Sequence, residues 1–284
     1  MSPRIEIAMS TCNGHGSSSI RPVRVGYCIA APRTPALDDA TTRALNAINR
    51  GFYREQAASF DETRRHAWPG WEPLLELLPD VTPLRVLDVG CGNGRFGAYL
   101  FTARSELHYV GIDASSALLE KARQRGAPGL DAQYKEADLI EVDLAAAVDG
   151  ERFDLVVYFG LLHHLPGLAR RRRLLQTGAG LLAPGGILAF TCWQFKSFER
   201  FQQRILPWDE FSDEAIGPID PGQLEPGDHL LRWADGGSVR YCHFANQDEI
   251  RNLVDSLPGE TVASYRADGR KGDLNRYLVI RIGS

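Results

Sequence analysis

The sequence predicts an α/β fold, a mostly parallel sheet with helices on both faces that ends in an antiparallel hairpin. Three observations predict it. Short apolar runs rich in β-formers alternate with helical patterns between residues 84 and 193, and the first of these runs ends in the glycine-rich turn Gly90-Cys91-Gly92-Asn93-Gly94. Two late apolar runs, 261–265 and 276–282, follow each other with no helical pattern between them. Strands separated by helices need crossover connections and therefore run parallel, whereas neighbouring strands joined by a turn pair antiparallel.

Composition sets the frame. A chain of 284 residues can bury a substantial core, and its 44% hydrophobic and 24% charged content is that of a globular protein, which excludes collagen-like and disordered classes. The net charge of −4 supplies no overall attraction to a polyanion, so any nucleic-acid contact must be local. Five cysteines, widely spaced and never in a CxxC pair, point to a reduced compartment and to no metal site. No apolar run approaches the roughly 20 residues of a membrane-spanning helix. Arg21 and Arg24 before the apolar stretch 25–31 imitate a signal peptide only faintly, so a cytoplasmic protein is expected.

Residues 1–40, rich in Ser, Gly, Thr and Pro, read as a flexible leader with one short strand at 23–29. Residues 41–80 read as a helical lead-in, with Leu45, Ile48, Phe52, Ala57 and Phe60 on one face and Pro69 opening a new segment. Strands are predicted at 84–89, 109–112, 133–137, 155–159 and 187–191. The stretch 205–231, with four prolines, seven acidic residues and no Lys or Arg, predicts an irregular part of a substrate-side insertion at 195–243. A helix over 246–257 precedes the closing hairpin. The only basic run, Arg170 to Arg173, reads as a solvated helix face or as a phosphate contact.

The chemistry begins at the glycine turn. A buried strand there enters a loop with three positions lacking a β-carbon, followed by a helix, so backbone can approach a ligand at the helix N-terminus. A dinucleotide loop has the spacing G-x-G-x-x-G, whereas this one is G-x-G-x-G with Asp88 two residues ahead of it. A carboxylate at that place repels a pyrophosphate and suits an ammonium and a sulfonium, which favours S-adenosylmethionine over NAD. Asp113, ending the second strand, can accept from both ribose hydroxyls, or it can cap the following helix. Asp138, after the third strand, can accept from an adenine amino group beside the backbone N–H and apolar face of Leu139, or it too can be a cap. The fourth strand ends at Phe159 and leads into Gly160-Leu161-Leu162-His163-His164, which should border the methyl donor because ligands sit beyond the strands' carboxyl ends.

In this order the features resemble the class I S-adenosylmethionine-dependent methyltransferases over residues 84–193. The resemblance implies a Rossmann-like, seven-stranded sheet. It also implies that Gly90, Gly92 and Gly94 line the methionine portion, Asp113 holds the ribose, and Asp138 with Leu139 frames the adenine. Residues 60–69 read F-x-x-T-R-x-x-x-W-P, residues 227–233 read G-D-x-L-x-x-W, and residues 240–243 read R-Y-C-H. These are similar to the tRNA methyltransferases that esterify the carboxymethyl group of a wobble uridine, a resemblance running from about residue 45 to the end, with Cys242 where that family usually has Tyr. On the resemblance, Arg64 pairs with the donor's carboxylate while Trp68 closes over it. Arg240 and His243 hold an acceptor carboxylate, Tyr241 or Trp233 stacks on a base, and a small activator protein is a possible partner.

Methyl transfer is an in-line displacement, and a carboxylate acceptor is already ionised and needs no base. A phenol or amine acceptor would need one, for which His163 or His164 is the obvious candidate, although histidines at this place more often pack or bond the loop. Three functions follow: a methyltransferase acting on tRNA, a small-molecule O- or N-methyltransferase, and a non-catalytic cofactor-binding subunit.

Overall fold

The computed structural model describes residues 37–64, 66–233 and 237–283; of the expected leader with its short strand, residues 1–36 lie outside the described residues. Helix α1 (Asp39–Thr63) is capped by Asp38, whose carboxylate accepts the Thr41 N–H at 2.6 Å. Its inner face buries Leu45, Ile48, Phe52 and Ala57, and Phe60 stays partly exposed. A single 3₁₀ turn (Pro69–Trp71) and α2 (Glu72–Leu75) then lead into β1 (Leu84–Val89).

From β1 the chain alternates through α3 (Arg95–Ala103), β2 (Leu107–Asp113), α4 (Ser116–Arg125), β3 (Asp131–Glu136), α5 (Leu144–Ala147), β4 (Phe153–Tyr158), α6 (Leu168–Gly180) and β5 (Leu182–Trp193). After α7 (Glu199–Gln202), three strands, β6 (Ile205–Leu206), β7 (Asp228–Arg232) and β8 (Val239–His243), precede α8 (Gln247–Asp255) and the hairpin β9 (Glu260–Ala267) and β10 (Asn275–Arg281). The main sheet has seven strands in the order β3-β2-β1-β4-β5-β10-β9, with β10 antiparallel to both neighbours and the rest parallel. This is the seven-stranded arrangement that the resemblance implied.

The strands are buried on both faces. Leu87 and Val89 of β1 join the core on one side with Val110, Val156 and Phe190, while Leu84 and Val86 join the other with Tyr109, Leu155 and Val157. Residues i and i+2 of a strand share a face, so each strand feeds both layers. Chain order reverses between β1 and β4, and a crevice opens beyond the carboxyl ends of strands at such a point.

Where the sequence predicted an irregular segment at 205–231, β6, β7 and β8 form a small antiparallel sheet. Leu230 and Tyr241 pack with Leu45 and Ile48 of α1 on one face, and Leu231 and Cys242 pack with Trp193 and Phe195 on the other. With both faces buried, these strands lack the polar alternation that would announce them, and the prolines sit in the connection between β6 and β7. Three of the four arginines of the basic run tie elements together: Arg170 bonds Asp39, Arg172 bonds Asn252, and Arg171 is buried between Glu225 and Glu249, while Arg173 is exposed. No helix among the described residues is long and apolar enough to cross a membrane.

Candidate active site

A cavity of about 810 Å³ occupies the crevice, walled by the strand ends, by α1 and the segment after it, and by β7 and β8. Arg64, Trp68, Asp88, Gly90, Gly92, Asp113, Asp138, Leu139, Phe159, His163 and Arg240 all line it. Three of the expected site residues, Gly94, Tyr241 and His243, do not.

The glycine turn bends back on β2, with the Gly90 and Cys91 N–H groups donating to the Ile112 carbonyl at 2.8 and 2.9 Å. Gly92 lies at φ +53, and a β-carbon there would find only Phe60 at 4.0 Å, so its open face borders the cavity. Gly94, at φ +71, serves differently from the expectation. A β-carbon at Gly94 would stand 2.8 Å from Ala122 Cβ and 3.0 Å from the Tyr134 hydroxyl, so its glycine lets α4 and β3 pack against the start of α3.

Asp113 accepts the Gly92 N–H with one oxygen and the Ser115 N–H with the other, both at 2.9 Å. It thus fixes the turn, and a carboxylate with about four acceptor positions keeps capacity for ribose hydroxyls. Asp88 is 2% exposed and accepts the Tyr109 hydroxyl at 2.5 Å; burial pushes its carboxyl up to about 7. Asp138 is more committed. It accepts Asn46 Nδ2 at 2.7 Å and the Ile140 N–H at 3.0 Å, with Arg50 at 3.6 Å, so the turn-capping role considered for it is present.

Trp68 fits against the bare face of Gly160, where an added β-carbon would meet the indole at 3.2 Å, and Arg95 stacks 4.6 Å above the same ring system. The segment carrying Trp68 is clamped from far along the chain. Asp268 accepts the Gly70 N–H at 3.0 Å, Asn275 Nδ2 at 2.8 Å and the Tyr277 hydroxyl at 2.7 Å, while Tyr265 donates to the Gly70 carbonyl at 2.7 Å. Asp268 has φ 69, a region costly for a residue with a β-carbon.

Arg64 and Arg240 converge on one aromatic ring. The Arg64 guanidinium lies 3.9 Å from the Phe60 centroid and 5.3 Å from that of Trp233; burial, then Arg240, lowers its pKa to about 9. Arg240, 6% exposed, lies 5.5, 5.0 and 5.1 Å from the centroids of Phe52, Trp193 and Trp233. Neither arginine makes an ion pair among the described residues, and Arg240 Nε is buried without a hydrogen-bond partner.

The histidines beside them stay neutral. His164 receives the Tyr53 hydroxyl at Nε2 (2.9 Å) and lies 3.1 Å from the Tyr241 carbonyl through Nδ1, and burial followed by Arg240 lowers its pKa to about 3. His163 lines the cavity with Nδ1 unpartnered, and burial, His164 and Arg240 hold it well below the ordinary histidine value. A base so weakened is poorly suited to take a proton.

His243 is turned away because it stands three residues from Arg240 on β8, and an odd spacing puts two side chains on opposite faces of a strand. It joins a buried network, with Nδ1 2.7 Å from Asp228, Nε2 2.7 Å from Glu249 and Arg171 at 3.0 Å. Tyr241, on the same face, donates to Asp228 at 2.7 Å and is likewise not free to stack on a ligand. Burial and Arg171 oppose protonation of His243, and the bonds to Asp228 and Glu249 outweigh both and raise its pKa.

Sequence reasoning missed Arg95, Asp268 and Asn275, and also Arg54, Arg200 and Arg204, all of which line the cavity. Asp88, Asp113, Glu136 and Asp138 line it from the strand ends; α1 and the residue after it, the start of α3, the region of α7, and β7 and β8 bring the arginines.

Sheet order and a cavity at the switch point define the fold of Rossmann-like methyltransferases. Residues 87–188 match a family model described as a methyltransferase domain. A protein of Encephalitozoon cuniculi named as a methyltransferase is 32% identical over 157 residues, covering 55% of this chain and 67% of that protein. The tRNA (carboxymethyluridine(34)-5-O)-methyltransferase ALKBH8 of Mus musculus is 30% identical over 162 residues, 56% of this chain and 22% of that protein. A solved S-adenosylmethionine-dependent methyltransferase from Clostridium acetobutylicum shares the fold at 13% identity, with a TM-score of 0.56 over 82% of this chain and 99% of that one. The chain belongs to the class I S-adenosylmethionine-dependent methyltransferase family. It spans about a third of the length of other mammalian relatives that it matches.

Proposed function

We propose that this chain uses S-adenosylmethionine to methylate a carboxylate, the carboxymethyl group of a modified wobble uridine in tRNA. The observation that carries the reading is Arg240, a buried guanidinium facing the cavity with no carboxylate partner among the described residues. Leaving a buried charge unpaired is costly, so the missing anion is best supplied by the acceptor. The neutral histidines fit the same chemistry, because an ionised acceptor needs no general base.

When bound, the donor supplies an electrophilic methyl group on a sulfonium. On this reading the open backbone of Gly90 and Gly92 takes its methionine portion near Asp88, Asp113 takes the ribose hydroxyls, and Leu139 flanks the adenine with Asp138 holding the turn. Arg64, free of carboxylate partners among the described residues, pairs with the donor's own carboxylate under Trp68, and Phe159 floors the reacting centre. The 195–243 segment forms the acceptor side, with Trp233 as the base-stacking surface and Arg54, Arg200 and Arg204 placed for flanking phosphates. The likeness of ALKBH8 from Mus musculus over 56% of the chain supports the choice of acceptor. A cytoplasmic setting and a small activator protein belong to this reading.

A free small-molecule acid is the second reading, favoured by the net charge of −4. Incubation with methyl-labelled donor and either bulk tRNA or a metabolite extract separates the two. Label in tRNA released by mild alkali, as an ester is, supports the first; label in metabolites alone overturns it.

A further inference from the structure

We propose that Arg240 makes the site discriminate against its own product, holding the acceptor while it is a carboxylate and releasing it once it is an ester. This rests on the functional reading above and concerns the fate of the same acceptor.

The chain can satisfy a buried arginine when it has reason to. Arg171, 1% exposed, has Glu225 at 2.7 Å, Glu249 at 2.8 Å and the Leu165 carbonyl at 2.8 Å. Arg240 is nearly as buried and has none of these. It is given the faces of Phe52, Trp193 and Trp233, which attract a cation but accept no in-plane hydrogen bond. Five N–H donors therefore have no carboxylate or carbonyl among the described residues, and Arg64 adds a second guanidinium at the same Trp233 ring.

The reaction changes the charge that this box faces. An acceptor oxygen forms a bond to the methyl carbon as the carbon–sulfur bond breaks, with the bonding pair leaving on sulfur. A carboxylate and a sulfonium become a neutral ester and a neutral thioether, and no proton moves. The guanidinium that was paired with an anion now faces a neutral carbonyl in the same low-dielectric surroundings. Charge-assisted bonds are about twice as strong as neutral ones, and the dry site enlarges the difference. Truncating one partner of a buried charge pair weakens complexes by a factor of about 30 or more, and the ester is such a truncation made by the reaction itself.

The test uses the whole chain saturated with S-adenosylhomocysteine and short single-stranded RNAs carrying 5-carboxymethyluridine, its methyl ester or its primary amide. The acid should bind about a hundredfold more tightly than the ester or the amide. Arg240→Met, similar in length and uncharged, should bring the three within about threefold of one another. Its affinity for S-adenosylhomocysteine serves as the check on folding. Equal affinities of the unaltered protein for acid and ester, alongside methyl transfer to the acid, would overturn this proposal alone. Failure to methylate the acid-bearing RNA, alone and with a cell extract that supplies any activator protein, would overturn the functional reading and this proposal with it.

Discussion

Replacing Asp268 by alanine tests whether the wall carrying Trp68 is held by its long-range clamp. The carboxylate is 4% exposed and accepts three bonds, from Gly70, Asn275 and Tyr277. Each buried donor left without a partner costs about 1–2 kcal/mol, so the three together cost about 4 kcal/mol before relaxation. Alanine at φ 69 adds strain of about 1 kcal/mol. For a domain of this size 1 kcal/mol moves the melting temperature by roughly 2–4 °C, so Asp268→Ala should melt about 10–20 °C below the unaltered protein. Asp268→Asn tolerates the backbone angle and loses one acceptor, and should fall by about a third as much. Gly70 packs so closely on Tyr277 that a β-carbon there would lie 2.3 Å from its ring, and loss of the clamp that holds this contact should also loosen Trp68 and weaken donor binding about tenfold. Calorimetric melting with titration of S-adenosylhomocysteine reads both effects. An alanine variant melting within 3 °C of the unaltered protein, to take a round threshold below a single lost bond, would refute the clamp.

Asp113→Ala removes the proposed ribose acceptor and the support of Gly92, and donor affinity should fall about a hundredfold by titration calorimetry; unchanged affinity would remove Asp113 from the site. Donor affinity should rise as pH is raised through about 7, because burial holds the Asp88 carboxyl there and only its ionised form attracts an ammonium or sulfonium. Asp88→Asn should flatten that profile, and an equally steep profile in the variant would assign the titration elsewhere. Arg171→Met leaves Glu225 and Glu249 buried without their cation and should destabilise the fold by about 3–5 kcal/mol in urea melts. The raised pKa of His243 has the opposite pH sense to a buried neutral histidine: its contribution is complete below the unfolded value near 6.5 and is lost as pH rises through the folded one. His243→Gln should therefore lessen the alkaline loss of stability.

The parallel sheet was legible because buried strands carry dense apolar runs between helices; β1 occupies the predicted 84–89, β2 and β5 extend the predicted runs at both ends, and β3 and β4 start two residues earlier and stop one residue short. The strand-end wall of the cavity was legible through the spacing of Asp88, Gly90, Gly92 and Asp113, all of which line it. Gly94 was not, since its glycine answers to Ala122 and Tyr134 on other elements rather than to the loop. His243 escaped because β8 is too short to display its alternation, which alone separates it from Arg240. Asp268 gave no signal, as one of its three partners is a backbone N–H 198 residues away.

Asp88, Asp113, Glu136 and Asp138 stand at the strand ends and Arg54, Arg200, Arg204 and Arg240 on α1 and the 195–243 segment, so on the proposed reading the walls favour a positive donor and a negative acceptor as separate charges. Methyl transfer cancels both, so the same walls stabilise the reactants more than a half-neutralised transition state. They recruit and align without lowering the barrier. On the proposed reading, acceleration comes from the collinear approach of oxygen to methyl carbon and from the apolar lining of Phe159, Trp193 and Trp233, where opposite charges are readily extinguished. Binding and speed are thus assigned to different residues of one cavity, the first to its ions and the second to its aromatic walls.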